Sequence, residues 1–349
     1  MYNICFITPN LGKGGMERVI SILSNTLVEK NYYVTIITLI NNHVEYEFNE
    51  RIKVIHLNDI FKGGITAKIS ILWKLIKTLK KLNPNVVLSF SEVFNPLSII
   101  ACKLNNLKIY ISDRSNPLMN HKLRDIISRK LIYPIANGIL AQTELAKSIF
   151  IKKHYNSNIL VLPNPIIEFK NNNINSAKKT VISVGRLITS KNHKELIDIF
   201  SEINMKDWEL IIVGDGELRA TLENYISSKN LNEKILLPGK SDKIEEWLDK
   251  GSIFAFTSLS EGFPNALNEA MAYPLACIAY DCPAGVSDLI INNVNGYLIP
   301  IKNKNLYREK LEELMYSEKV RQEFMMQGIK NRDKYNRYYI TDMLLEFIL

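Results

Sequence analysis

The residues best placed to do chemistry stand directly behind short apolar runs. Glu261 and Glu269, with seven residues between them, lie in LSEGFPNALNEAMA after the run IFAFTS. Gly262 permits a sharp turn and Pro264 suits the first turn of a helix, so a helix is predicted from about Pro264 to Ala272. Glu261 then stands just ahead of that helix and Glu269 one turn or more along it. The N–H groups of Phe263, Asn265 and Ala266 form a helix N-terminus, which stabilises an anion. Taken alone, the pair reads equally as a helix-start acid and a solvated face. Three further strand ends add to it. Arg186 and Lys191 follow TVISVG in GRLITSKNH, WELIIVG opens into Gly214–Glu217 (GDGE), and KILLPG ends at Gly239 and Lys240 ahead of SDK. Four successive strand ends with turn glycines or charges form the edge that a nucleotide needs.

The opening loop, PNLGKGGMERVI at residues 9–20, also follows an apolar run, Ile4 to Ile7. Gly12 and Gly14 fit the first two positions of the dinucleotide fingerprint, but Glu17 takes the third, and the second strand ends in Ile40-Asn41-Asn42 without an acid for a ribose. Lys13 precedes the glycine pair, and no Gly-Lys-Ser/Thr follows, so the phosphate-loop pattern fails too. What remains is a loop from Gly12 to Met16 with two readings: a tight turn, or a point where backbone approaches a ligand closely.

These residues need a scaffold that lines up strand ends. NICFIT, YVTIITL, VVLSF, KIYIS, GILAQT and ILVLP alternate with helical patterns, as do TVISVG, WELIIVG, KILLPG, IFAFTS and LACIAY. Such alternation predicts parallel sheets flanked by helices, an α/β chain. Residues 163–179 interrupt it with two prolines and five asparagines, which is linker composition. With 349 residues, more than one core usually holds, the chain reads as two Rossmann-like, doubly wound domains, 1–165 and 175–332, facing a central cleft. Ligands in such sheets sit outside the carboxyl ends of the strands. A last helix over 333–349 can pack on either domain, including back on the first.

The formal charge of +8 favours anionic partners: polyanions, anionic lipid or phosphorylated substrates. Nucleic acid is disfavoured, because the lysines are not interleaved with exposed aromatic platforms or a recognisable module. Cys5, Cys102, Cys277 and Cys282 lack the paired spacing of a zinc or redox site and read as reduced core residues. No leader and no bilayer-length apolar run is apparent, so a cytoplasmic location with peripheral membrane contact is expected. From Phe61 to Ser91 there are six lysines and no acid. Lys74, Lys77 and Lys81 share one helix face, with Ile69, Leu72, Ile76 and Leu79 as the apolar stripe. That basic face is either simply solvated or a contact for anionic headgroups.

Together these motifs resemble glycosyltransferase family 4, the retaining sugar transferases of GT-B fold. GGMER at 14–18, Gly185-Arg186 with Lys191, GDGE, Pro238-Gly239 and the Glu261–Glu269 pair carry the resemblance over nearly the whole chain. DCPAGVSDLI, 281–290, is similar to members acting on polysaccharide and O-antigen repeats. The resemblance implies that Arg186 and Lys191 hold the donor diphosphate, Glu269 the ribose, and Glu261 with the backbone of Phe263, Pro264 and Asn265 the sugar. The base lies near Gly239 and Lys240, and Gly14 and Gly15 approach the distal phosphate. No cofactor or metal is implied, and no Asp-x-Asp motif is present. Many relatives carry a histidine near Arg114, in the stretch Asp113–Asn116. A guanidinium cannot exchange a proton at neutral pH, so Arg114 is either a phosphate or sugar ligand or a structural partner of Asp113. The implied reaction moves a hexose or N-acetylhexosamine from a UDP-sugar to a polyprenyl-diphosphate-linked saccharide at the inner face of the cytoplasmic membrane, where the Lys74, Lys77 and Lys81 helix meets headgroups or acceptor diphosphate. An epimerase or hydrolase of the same fold, or a non-catalytic nucleotide-sugar binder, are the alternatives.

Overall fold

A computed structural model describes residues 2–12, 14–41, 43–57, 64–114, 116–119, 122–166, 169, 174–204 and 206–349. Lys13, Asn42, Phe61, Lys62 (one of the six lysines counted from Phe61 to Ser91), Ser115 and part of the 163–179 linker lie outside the described residues. The chain divides into two compact units, Met1–Pro165 with Tyr335–Leu349, and Ile166–Lys334.

The first unit carries β1 (Asn3–Thr8), α1 (Gly15–Glu29), β2 (Tyr33–Thr38), β3 (Lys53–His56), α2 (Gly64–Leu82), β4 (Val86–Phe90), α3 (Asn95–Lys103), β5 (Ile109–Ser112), α4 (Leu123–Ile132), β6 (Gly138–Ala141), α5 (Glu144–Lys152) and β7 (Ile159–Val161). The strands form one parallel sheet in the order β3-β2-β1-β4-β5-β6-β7. Side chains alternate across it, as strand geometry requires. Cys5, Ile7 and Val87 enter one core with Ile71, Leu75 and Ile99 of α2 and α3, while Ile4, Phe6 and Leu88 enter another with Ile20 and Leu23 of α1. Burial on both faces is why these strands read as unbroken apolar runs.

The second unit carries β8 (Thr180–Val184), α6 (His193–Glu202), β9 (Glu209–Val213), α7 (Arg219–Ser228), β10 (Ile235–Gly239), α8 (Ile244–Leu248), β11 (Ile253–Phe256), α9 (Asn265–Ala272), β12 (Ala276–Tyr280), α10 (Val286–Leu289), β13 (Gly296–Ile299), α11 (Lys304–Tyr316), α12 (Glu318–Ile329) and α13 (Asn331–Tyr335). Its parallel order, β10-β9-β8-β11-β12-β13, repeats that of the first sheet. In both, the order reverses beside the first strand, between β1 and β4 and between β8 and β11. These are the switch points at which such sheets bind ligands.

The last segment is two helices, not one: α13 ends at Tyr335, and Asn336 caps α14 (Arg337–Ile348) by accepting from the Tyr338 N–H. Ile340, Leu344 and Ile348 of α14 complete the core of the first unit, and two ion pairs, Arg337–Glu29 (2.8 Å) and Lys30–Asp342 (2.7 Å), fasten it to α1. On α2 the buried stripe is Ile71, Leu75 and Leu79, with Leu72 and Ile76 half-buried, whereas Ile69 is exposed. At 100° per residue Ile69 sits about 120° around the helix from Leu75, beyond the stripe's edge. Lys74, Lys77 and Lys81 do share an outer face, although Lys74 also donates to the Leu57 carbonyl at 3.0 Å.

Candidate functional site

In the second unit the site is built from three strand ends. The loop after β8 is fixed from below by the GDGE turn. Gly214 has φ +154, and a Cβ there would lie 1.9 Å from the Gly185 carbonyl oxygen; one on Gly216 would lie 2.5 Å from that of Leu187. Only glycine permits that approach. Leu187 donates to the Asp215 carbonyl (2.9 Å), and Leu218 donates back to that of Leu187 (3.0 Å). GDGE therefore acts through backbone packing, holding the Gly185–Leu187 segment in place. Arg186 projects from that segment, exposed and without an ion-pair partner among the described residues.

The chain then makes a short turn over Thr189–Lys191 and passes through Asn192, at φ +56, into α6. Lys191 Nζ meets Glu261 Oε1 at 2.5 Å, the two side chains being 17% and 11% exposed. This pair bridges β8 to β11, across the switch point itself. Backbone lacing supports it: Thr257 Oγ1 donates to the Lys191 carbonyl (3.1 Å), and Leu259 N–H to that of Ser190 (2.8 Å). Lys191 also lies 5.6 Å from the Phe256 ring centroid. Beyond Glu261, α9 starts at Asn265 with buried Phe263 and Pro264 ahead of it and Asn265 half-buried. Glu269 is buried on this helix, so it is not the solvated-face residue that its exposed spacing allowed. Gly239 closes β10 at φ +91, its carbonyl accepting from Gly214 (2.9 Å), and Lys240 follows, exposed.

His193, two residues after Lys191, is the member that sequence reasoning passed over. It opens α6, is buried, and its Nδ1 has no hydrogen-bond partner among the described residues. Burial, with the Lys191 charge beside it, pulls its pKa down to about 4, so the ring is neutral at physiological pH.

In the first unit Gly14 caps α1 in extended backbone, and its carbonyl accepts from the Tyr46 hydroxyl at 3.0 Å. A Cβ on Gly14 would lie 2.2 Å from Glu17 Oε2, so the carboxylate of Glu17 folds over this helix start. Burial raises the Glu17 pKa. Gly15 is the first residue of α1. The loop is further stitched by Leu11 and Glu45, whose N–H groups bond the carbonyls of His43 and Leu11.

The two residues after β5 part company. Asp113 is fully buried, paired with Arg129 of α4 at 3.1 Å and accepting from the Tyr133 hydroxyl at 3.2 Å. It is thus the partner of Arg129, not of Arg114, because its carboxylate turns into the core beneath α4. Arg114 points elsewhere. Its Nε donates to Ser112 Oγ (3.0 Å), Nη1 to Asn164, and the guanidinium stacks 5.0 Å from the Phe90 ring centroid, while Nη2 has no partner among the described residues. Among the described residues no carboxylate pairs with it, and burial lowers its pKa to about 9. Asn164, which read as linker, also accepts from Gln142 (3.2 Å).

Two family profiles match the chain in tandem: Glycosyltransferase Family 4 over residues 13–167 and Glycosyl transferases group 1 over residues 166–331. The amylovoran biosynthesis glycosyltransferase AmsD of Erwinia amylovora is 28% identical over 96% of each chain. The N-acetylgalactosamine-N,N'-diacetylbacillosaminyl-diphospho-undecaprenol 4-alpha-N-acetylgalactosaminyltransferase of Campylobacter jejuni is 28% identical over 97% of each. Among solved structures, S. aureus TarM in complex with UDP and alpha-GlcNAc-glycerol superposes with a TM-score of 0.81 over all of both chains at 16% identity. The lipopolysaccharide outer core galactosyltransferase WaaB does so with 0.78 over 99% of each at 20%.

Proposed function

Since the chain belongs to glycosyltransferase family 4 and is a transferase of GT-B fold, we propose that it moves a hexose or N-acetylhexosamine from a UDP-sugar, with retention, to a polyprenyl-diphosphate-linked saccharide in bacterial surface-polysaccharide assembly. The Lys191–Glu261 pair at the second switch point carries this reading. As the bond from sugar to diphosphate breaks, negative charge grows on the departing phosphate oxygens. Cations and N–H groups fixed in advance stabilise that charge most in the transition state.

Arg186, already free, meets the diphosphate first. Lys191 then exchanges the Glu261 carboxylate for phosphate oxygen, and Glu261, released, accepts from hydroxyls of the donor sugar together with the backbone of Phe263 to Asn265. Glu269 holds the ribose, and Gly239 and Lys240 flank the base. The two cations serve in place of a metal, so donor binding needs none. In the first unit Arg114 is the acceptor's ligand for phosphate or sugar, since its Nη2 has no partner among the described residues. Two relatives from Campylobacter jejuni are named for undecaprenol-linked acceptors, which supports the lipid-linked choice. No helix among the described residues is long and apolar enough to cross a membrane. The exposed Lys74, Lys77 and Lys81 face supports peripheral contact with such an acceptor at the inner face of the membrane.

Calorimetry with EDTA present throughout tests the donor half. UDP and UDP-N-acetylhexosamines should bind the wild type in the micromolar range, and Lys191→Ala should weaken them at least tenfold. Equal binding by the variant, or preference for GDP or ADP, overturns the assignment.

A further inference from the structure

Half of the large apolar side chains that lie exposed among the described residues fall between Ile69 and Ile135, on α2, α3, α4 and the loops that flank them. Helix α4 is the centre of this surface. Leu123, Ile127 and Leu131 recur every four positions and are 72%, 49% and 70% exposed, a stripe facing solvent. The opposite side of the helix is the one that sends Arg129 inward to Asp113. Beside the stripe a groove of about 430 Å³ runs between α2, α3 and α4, with Ile69, Val93, Ile100 and Met119 among its walls. Basic side chains outnumber acidic ones around the area, with the acids Glu92 and Asp125 lying in the groove. Lys122, Arg124 and Lys130 flank the stripe, α2 adds its exposed lysines, and residues 61–91 hold no acid.

An apolar ridge with a basic margin is the complement of an anionic bilayer: hydrocarbon below, phosphate around. A second copy of this chain fits poorly, because two such faces would bring their lysines together. We propose that α4 is an interfacial docking element whose Leu123–Ile127–Leu131 side enters the headgroup boundary of an anionic membrane, with the α2 lysines seated among lipid phosphates. This deepens the membrane part of the proposed function and changes its main force. Lysines alone give binding that salt removes, since the screening length falls to about 3 Å at 1 M salt. A buried apolar stripe gives binding that salt leaves in place.

The test is sedimentation of the full chain with phosphatidylglycerol–phosphatidylcholine vesicles at 0.1 M and 1 M NaCl. Wild type is compared with Leu123→Ser/Ile127→Ser/Leu131→Ser and with Lys74→Glu/Lys77→Glu/Lys81→Glu. All six positions are exposed, and unchanged melting and UDP binding certify each variant's fold. Wild type should keep measurable binding at 1 M NaCl, the α4 variant should lose at least tenfold at both salts, and the α2 variant should lose binding chiefly at low salt. Wild-type-like binding by the α4 variant, or no vesicle binding by wild type, overturns the proposal. So does wild-type self-association that the α4 variant abolishes, which would make the ridge a contact between copies. Turnover of a water-soluble, short-chain acceptor reads the transferase assignment separately: it should be unchanged in the α4 variant.

Discussion

The buried histidine beside Lys191 makes a prediction that can be worked through. In the unfolded chain His193 takes up a proton below about pH 6.5; in the folded protein it does so only near 4. Between those values the unfolded state binds the extra proton, so acid favours unfolding and stability falls as pH falls. The contribution is fully present above pH 6.5. At 1.36 kcal/mol per unit of pKa difference, lowering the pH from 7.5 to 5.0 costs about 2 kcal/mol from this residue, and reaching 4 costs about 3. Against typical stabilities of about 5–15 kcal/mol this is readily measured. Urea unfolding is followed by tryptophan fluorescence, since Trp208 is buried in the same core as α6. His193→Gln keeps a polar group of similar reach that does not titrate. Carboxylates titrate alike in both proteins, so the difference isolates the histidine: the wild type should lose about 2 kcal/mol more than the variant between pH 7.5 and 5.0. Equal losses would refute the reasoning, showing that the ring is protonated or hydrated in the folded state.

Other substitutions probe the strand ends. Gly214→Ala places a methyl on the Gly185 carbonyl and should cost about 3 kcal/mol in denaturant unfolding, with weakened UDP binding because the Arg186 segment must shift. Arg129→Leu removes the cation paired with the buried Asp113 carboxylate and should cost about 3 kcal/mol or more in the same assay. Arg114→Ala should instead leave UDP binding intact while acceptor turnover drops about ten- to a hundredfold, the worth of one charged hydrogen bond; unaltered turnover would remove Arg114 from the acceptor site.

The parallel sheets were legible because doubly buried strands write themselves as apolar runs, and IFAFTS or VVLSF can be read without ambiguity. β3 and β13 were not. KVIH is a half-exposed edge strand with a charged start, and GYLI is four residues behind an asparagine-rich turn, so neither makes a run. In the candidate site, spacing singled out Arg186, Lys191 and Glu261 as candidates, because charges behind strands share one edge of the sheet. It could not show that Lys191 and Glu261 touch, since that depends on β11 lying next to β8, a pairing between strands far apart in sequence. Nor could it tell that Asp113 is held by Arg129 and not by Arg114: Arg129 comes from a helix sixteen residues on, and only the burial of α4's inner side brings it there. His193 left a signal in the left-handed Asn192 before it, which forces a tight entry into α6, but a lone histidine in a polar turn carries no direction.

The return of α14 has a consequence for dissecting the molecule. The first unit is assembled from two pieces of chain, residues 1–165 and 335–349, with the second unit strung between them. Residues 166–334 can therefore be excised, or exchanged for the corresponding piece of a relative, as one uninterrupted segment. The first unit cannot be obtained by stopping at Pro165. That fragment would leave the Leu23 and Leu27 side of α1 uncovered where Ile340, Leu344 and Ile348 belong, and would be prone to aggregate. Grafting 335–349 back through a short linker should restore it, making the last fifteen residues a detachable cover whose rejoining can be followed in trans.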